Sequence, residues 1–143
     1  MTSRLRHITV DTAPPNEPYD LCEFWGKVLG LPIDPIDGPG DDEVALDVPE
    51  GHPTLLFVRV PEAKTAKNRI HLDLEPSLPR DEEVARLLEL GATLVDDRRD
   101  GGRGWAVLAD PAGNEFCVEI SVPEQALLKS ADPRAEAGTQ LSG

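Results

Sequence analysis

The local patterns in this chain run strand, helix, strand, strand, strand and then begin again, and that doubling constrains the fold more than any other feature of the sequence. The first pass opens on an alternating segment over residues 4–11. A loop rich in proline (Pro14, Pro15, Pro18) leads to a helical pattern in which Leu21, Phe24, Trp25, Val28 and Leu29 recur at one-face spacing. Asp20 with Glu23 resembles a capping box, and Gly30 suits the stop. A weak strand over 31–36 follows, with stronger ones over 43–48 and 54–60. The second pass has a strand over 68–75 and a helix over 79–90 with Val84, Leu87 and Leu88 on one face. Gly91 ends that helix, and strands follow over 93–97, 105–109 and 115–121.

Residues repeat along with elements. His7 and His71 sit in the opening strands, Gly30 and Gly91 end the helices, and Pro49-Glu50-Gly51 matches Pro111-Ala112-Gly113 before each last strand. A period of about 62 residues occurring twice marks a duplicated module rather than a solenoid. The expected fold is α+β: two βαβββ modules, about 4–60 and 68–121, forming a curved mixed sheet around a central cup, with helices on the outer face. Burying each apolar side chain of the first helix contributes about 1.5–3 kcal/mol at most, so that helix must pack on the sheet. Residues 1–121 form the expected domain. Residues 122–143 are a C-terminal extension, expected to be flexible apart from a helical turn or two over 124–130.

Strand alternation separates the two faces of such a sheet. Ile8 and Val10 oppose His7 and Thr9; Val44, Leu46 and Val48 oppose Glu43, Ala45 and Asp47. Ile70, Leu72 and Leu74 oppose Arg69, His71 and Asp73, and Phe116, Val118 and Ile120 oppose Glu115, Cys117 and Glu119. The apolar sides meet the helices, so the mixed sides line the cup. Strand 54–60 is apolar almost throughout; equating the two Pro-x-Gly turns aligns Leu55 with Cys117 and puts Leu55, Phe57 and Arg59 in the cup. The same matching adds Trp105 and Val107. The expected ligand pocket is therefore His7, Thr9, Asp47, Leu55, Phe57 and Arg59 from the first half, with His71, Asp73, Trp105, Cys117 and Glu119 from the second. Apolar walls with a few convergent polar groups are how small-molecule pockets are built.

Charge narrows the partners. The 27 Asp and Glu against 14 Lys and Arg give a formal charge of −13, which repels phosphate backbones and anionic lipid, so neither nucleic acid nor a membrane is expected. The acids concentrate at Asp34, Asp37, Asp41, Asp42, Glu43, Asp47 and Glu50, a solvated edge or a collar for cationic ligands. Met1–His7 carries no apolar secretory core, and no run approaches the roughly 18 apolar residues of a membrane span, so the expected location is the cytoplasm. Cys22 and Cys117, on opposite sides of the sheet, are expected to remain thiols. The expected partner is a small organic molecule, and a homodimer is left open.

Taken together, His7, the helix end Val28-Leu29-Gly30-Leu31-Pro32, His71 and the turn Asp110-Pro111-Ala112-Gly113-Asn114-Glu115 resemble the vicinal-oxygen-chelate superfamily of glyoxalases, bleomycin resistance proteins and extradiol dioxygenases. The segment from Pro61 to Leu74 resembles its glyoxalase-like branch, common in bacteria, and the likeness covers about residues 4–121. It implies a divalent ion held by a histidine from the first strand and a carboxylate from the last strand of each half. His7 and His71 match the histidines. Strand 54–60 offers no Asp, Glu, Gln or His, and Cys117 stands where the second carboxylate belongs; Glu119 is on the same side but about 6.6 Å further along. The metal set this leaves is His7, His71 and Glu119, an incomplete site, so no cofactor is expected, with zinc, nickel, manganese or iron as the candidates if an ion binds. The implied function is a small-molecule-binding protein, the alternative being a metal-dependent lyase, isomerase or dioxygenase. His7 and His71 are then ligands or acid–base groups, or pocket residues bonded to neighbours. Cys117 is a reactive thiol or a small filler, Trp105 and Phe57 shape a pocket or pack a core, and Arg59 pairs with an anionic substrate or with Asp47 or Asp73.

Overall fold

The computed structural model describes residues 1–131. Its elements are β1 (His7–Thr12), α1 (Pro18–Leu29), β2 (Glu43–Ala45), β3 (Thr54–Arg59), β4 (Leu72–Leu74), α2 (Arg80–Leu90), β5 (Thr93–Asp97), β6 (Ala106–Ala109), β7 (Glu115–Val118) and α3 (Val122–Ala131). They form two mixed sheets, ordered β1-β3-β2 and β4-β7-β6-β5, so the α+β class stands. The chain divides into two compact units: Met1–Asn68 with Asp110–Asn114, and Arg69–Ala109 with the chain from Glu115 onward.

In the first unit β3 lies between β1, which runs parallel to it, and the antiparallel β2. Helix α1 packs on β2 and β3. Its start differs from the capping-box expectation: Glu17 is the N-cap without a side-chain bond, and Pro18 occupies the first turn, where its missing N–H leaves nothing unpaired. Asp20 lies inside that turn, where its charge meets the positive end of the helix. Leu21, Cys22, Phe24 and Trp25 are buried, while Leu29 is exposed, so the buried stripe ends a turn earlier than its spacing suggests. Gly30 closes the helix at φ 68°, a conformation other residues adopt only with strain. The weak strand over 31–36 reduces to a single bridge, Ile33 to Leu46. Segment 31–36 carries Pro32 and Pro35, which lack the N–H a ladder requires.

The turn 110–114 is built around one carboxylate. Asp110, 3% exposed, accepts hydrogen bonds from the backbone N–H of Ala112 and Asn114, both at 2.9 Å, and from Asn114 Nδ2. Trp25 Nε1 donates to it at 3.0 Å, and Asn68 Nδ2 donates to Asn114 Oδ1 at 2.8 Å. The Asp and Asn of the Asp-Pro-x-Gly-Asn sequence are therefore there to satisfy each other, the turn and the indole of α1.

In the second unit β7 lies between β4, parallel, and β6, antiparallel, with β5 on the outer edge. Helix α2 packs on β7. Val84 and Leu87 are buried as expected, but Leu88 is exposed. The strand expected over 68–75 shrinks to Leu72–Leu74, because only these residues find partners in β7. Arg80, 2% exposed, donates to the carbonyls of Gly101, Arg103 and Gly104 and to Asp81, so the loop before β6 is fastened to the start of α2. Glu124 accepts from the N–H of Arg80 and of Ser121 and from the Ser121 hydroxyl, fixing the start of α3. Val122–Ala131 is thus helical over more than the turn or two expected, and the rest of the expected extension lies outside the described residues. No helix among the described residues is long and apolar enough to cross a membrane.

Replacing Asp110 by alanine leaves the Trp25 indole and two backbone N–H groups without their acceptor. Loss of charge-assisted bonds of this kind costs about 2–4 kcal/mol, and the urea midpoint of Asp110→Ala is expected to fall accordingly, with Asp110→Asn losing less.

Candidate functional site

Directly paired residues on neighbouring strands project to the same side of a sheet. In the second unit Leu72 pairs with Phe116, Asp73 with Cys117 and Leu74 with Val118, while Val107 pairs with Cys117 from the other flank. Phe116, Val118, Ala106 and Leu108 are buried on the helix side. Asp73, Cys117 and Val107 share the open side. His71 stands one residue before β4 and two before Asp73, so alternation brings it to that side as well. Its Nε2 lies 3.4 Å from Asp73 Oδ1, with the two side chains 42% and 51% exposed. Trp105, just before β6, and Glu119, just after β7, continue the alternation on the open side, and both are exposed. Asp96 of β5 pairs with Val107 and joins them, bonded to Arg98 at 2.6 Å.

The candidate ligand atoms of His71, Asp73 and Cys117 all lie within 4.8 Å of one another. Two donors on one tetrahedral zinc, at bond lengths near 2.0–2.3 Å, stand about 3.3–3.7 Å apart. The His71–Asp73 separation of 3.4 Å already meets that spacing, and an imidazole, a carboxylate and a thiol suit a borderline or soft cation. By chemistry the donor set suits an ion, and the remaining separations, within 4.8 Å, would have to close for all three to hold one. It is not the set expected from the resemblance: Glu119 and His7 are outside this group, and Cys117 and Asp73 are in it. Asp73 was legible as an open-side residue. Its place two residues after His71, on the same side of one strand, is the signal that marks it as a donor.

In the first unit the placement of β3 needs correction. Leu55 pairs with Ile8 and Phe57 with Val10, on the helix side, where Leu55 and Phe57 are buried. Thr54, Leu56 and Val58 are the open-side residues, opposite His7, Thr9 and Asp11. The expected alignment equated Leu55 with Cys117 four residues after the turn glycine; β7 begins two residues after Gly113, whereas β3 begins three after Gly51. One extra residue reverses every side chain of the strand. Arg59 is corrected too: it pairs with Thr12 on the helix side and donates to Glu17 and Asp42, tying the start of α1 to the acidic loop. The guanidinium holds the Glu17 carboxyl below the usual carboxylate range. His7 and Thr9 are exposed on the open side, and Asp47, just beyond β2, is exposed as well. No register of β3 supplies a carboxylate to the open side.

The two thiols differ sharply. Neither forms a disulfide. Cys22 is fully buried in α1, and that burial, with the Asp37 carboxylate adding to it, pushes its thiol up to about 12. Cys117 reaches the open side and keeps 9% exposure.

Residues 7–119 match the glyoxalase-like domain family. The chain belongs to that family. Among solved structures it is similar to a glyoxalase/bleomycin resistance protein/dioxygenase family enzyme from Burkholderia phytofirmans, with 22% identity, a TM-score of 0.61, and coverage of 81% of this chain and 97% of that one. It is similar to the trypanothione-dependent glyoxalase I of Leishmania major, with 18% identity, a TM-score of 0.59, and coverage of 99% and 100%. It is also similar to a fosfomycin resistance protein of Listeria monocytogenes complexed with Mn(II) and a dihydroxypropylphosphonic acid, with 19% identity, a TM-score of 0.59, and coverage of 89% and 97%. At these identities the likeness is one of fold. A comparison with curated proteins gave no match.

Native protein is expected to react with a thiol reagent at Cys117 well before Cys22, as peptide mapping would read out. The raised Cys22 thiol also sets a pH dependence. Below about pH 8.5 the thiol is protonated in folded and unfolded chains alike; above it only the unfolded chain loses the proton. Stability should therefore fall as pH rises from about 8.5 toward 12, and urea midpoints should show Cys22→Ala declining less steeply than the parent chain over that range.

Proposed function

We propose that this chain is a cytoplasmic small-molecule-binding member of the glyoxalase-like family, and that its ligand sits on the open side of the β4-β7-β6-β5 sheet. The observation that carries the reading is the make-up of that side: Trp105 and Val107 supply apolar surface, and His71, Asp73 and Glu119 supply polar groups, on the side away from the buried Phe116 and Val118. A half-exposed tryptophan beside a few polar side chains is the composition of a site for a planar or hydrophobic molecule. The unbridged cysteines and the strongly acidic surface support a reducing compartment and a partner other than nucleic acid or anionic lipid. In the first unit His7, Thr9 and Asp47 support a role for the corresponding open side in the same task.

A metal-dependent lyase, isomerase or dioxygenase is the second reading. The three-donor group supports it; the absence of a carboxylate on the open side of β3, and the thiol in place of one on β7, tell against the chemistry of the superfamily's metal enzymes. Glyoxalase turnover requires the ion to hold two substrate oxygens while a neighbouring group moves the proton.

Binding of 8-anilinonaphthalene-1-sulfonate, followed by its fluorescence, is expected to saturate at one site per chain and to weaken at least tenfold in Trp105→Ala. An unchanged affinity in that variant would move the ligand away from this surface. In parallel, methylglyoxal with glutathione, in the presence of zinc, nickel, manganese or ferrous ion, is expected to show no turnover. Turnover abolished by His71→Ala would establish the enzyme reading instead.

A further inference from the structure

We propose that His71, Asp73 and Cys117 form a metal site of their own, contained in one module, that takes a thiophilic divalent cation, zinc foremost. This goes beyond the small-molecule reading and does not rest on it. The resemblance implies an ion shared by residues of both halves; this group draws its donors from two paired strands of one sheet and the residue just before one of them.

The backbone fixes two of the three donors. Asp73 and Cys117 are register partners in the parallel β4–β7 ladder, so their side chains leave adjacent strands side by side. His71 reaches the pair from two residues before Asp73, just ahead of β4. The result is three donor atoms within 4.8 Å of one another, with the imidazole and carboxylate at 3.4 Å. An ion pair between an exposed histidine and an exposed aspartate would account for two of these groups. Cation ligation would account for all three.

The donors also select the ion. A thiolate and a carboxylate offset the two charges of the cation, and the thiol proton released on binding passes to solvent. Thiolate ligation favours zinc, cobalt and cadmium over magnesium, calcium and manganese. The placement suits entry from one side: Cys117, 9% exposed, forms the floor, and His71 and Asp73 form the exposed rim. Three protein donors leave a fourth position for water or a ligand oxygen, as in zinc sites that bind small molecules.

The test uses the full chain, free of any affinity tag and stripped of metal, titrated calorimetrically with zinc and spectroscopically with cobalt. The expected result is one ion per chain, with near-ultraviolet thiolate-to-cobalt charge-transfer absorption. Cys117→Ser should abolish that absorption, and His71→Ala, Asp73→Asn and Cys117→Ser should each weaken zinc binding at least tenfold. His7→Ala and Glu119→Gln should leave it unchanged. Should Cys117→Ser fail to fold, the same question is read from the parent chain: zinc should protect Cys117 from alkylation, and Asp73→Asn should remove the protection. No binding by the folded chain, binding without charge-transfer absorption, or loss of affinity in His7→Ala or Glu119→Gln would each overturn the proposal. Because the dye-binding readout depends on Trp105 and needs no metal, failure of this site and failure of the small-molecule reading are separately visible.

Discussion

The parallel pairing of first and last strand within each module is the constraint on which everything else depends. β1 on β3 and β4 on β7 fix, residue by residue, which side chains meet a helix and which stay open. Parallel strands cannot be joined by a tight turn, so a helix must cross over between them, and the crossing puts that helix on one side. In the first unit this covers Leu55, Phe57 and Val44; in the second it covers Phe116, Val118 and Leu108. The uncovered side keeps whatever chemistry the alternate residues carry. With a period of two, the same ladder that buries Phe116 and Val118 must present Cys117.

Two buried polar groups hold the loops to this frame. The Asp110 carboxylate gathers a turn and the indole of α1, and the Arg80 guanidinium gathers three loop carbonyls at the start of α2. In each case an ionic group nearly out of water is tolerated because it is bonded on several sides. The loop that leads into β6 is thereby anchored to the start of α2, which fixes where Trp105 enters its strand. The open side of the second sheet is consequently set by backbone pairing at its centre and by the Arg80 group at the entry to β6.

The α+β class and the helix ends at Gly30 and Gly91 were legible in the sequence, because hydrophobic spacing and glycine placement act locally. So was the open side of the second unit, where alternation in β4, β6 and β7 is clean. The first unit was read with β3 reversed. Its residues Leu55, Leu56, Phe57 and Val58 are apolar on both sides, so alternation carried no information, and the side was inferred from a turn that is one residue longer than its counterpart. Strand lengths were overstated at 31–36 and 68–75, since periodicity reports what a segment can do and pairing decides what it does. Alternation places Asp73 on the open side, but the resemblance implies a carboxylate from the last strand, so the resemblance does not mark Asp73 as a donor.

That substitution of Cys for a carboxylate is the key to the departure of the second unit from the pattern its resemblance implies. A glutamate reaches three bonds beyond Cβ and can hold an ion well above its strand, in space that several strands share. A cysteine ends one bond beyond Cβ. A cation bound to Cys117 must therefore sit close to β7, and the residue nearest it across the ladder is the register partner, Asp73. With the shorter donor an ion would sit down against one sheet, within reach of a neighbouring carboxylate and of His71 beside it. In the first unit the position that corresponds to Cys117 on the open side, opposite Thr9, is Leu56, which offers nothing to a cation. The first unit thus keeps His7 on its open side with no donor beside it on β3. Two similar supersecondary units can differ in this way because the ladder that fixes each one constrains only the helix side of each strand.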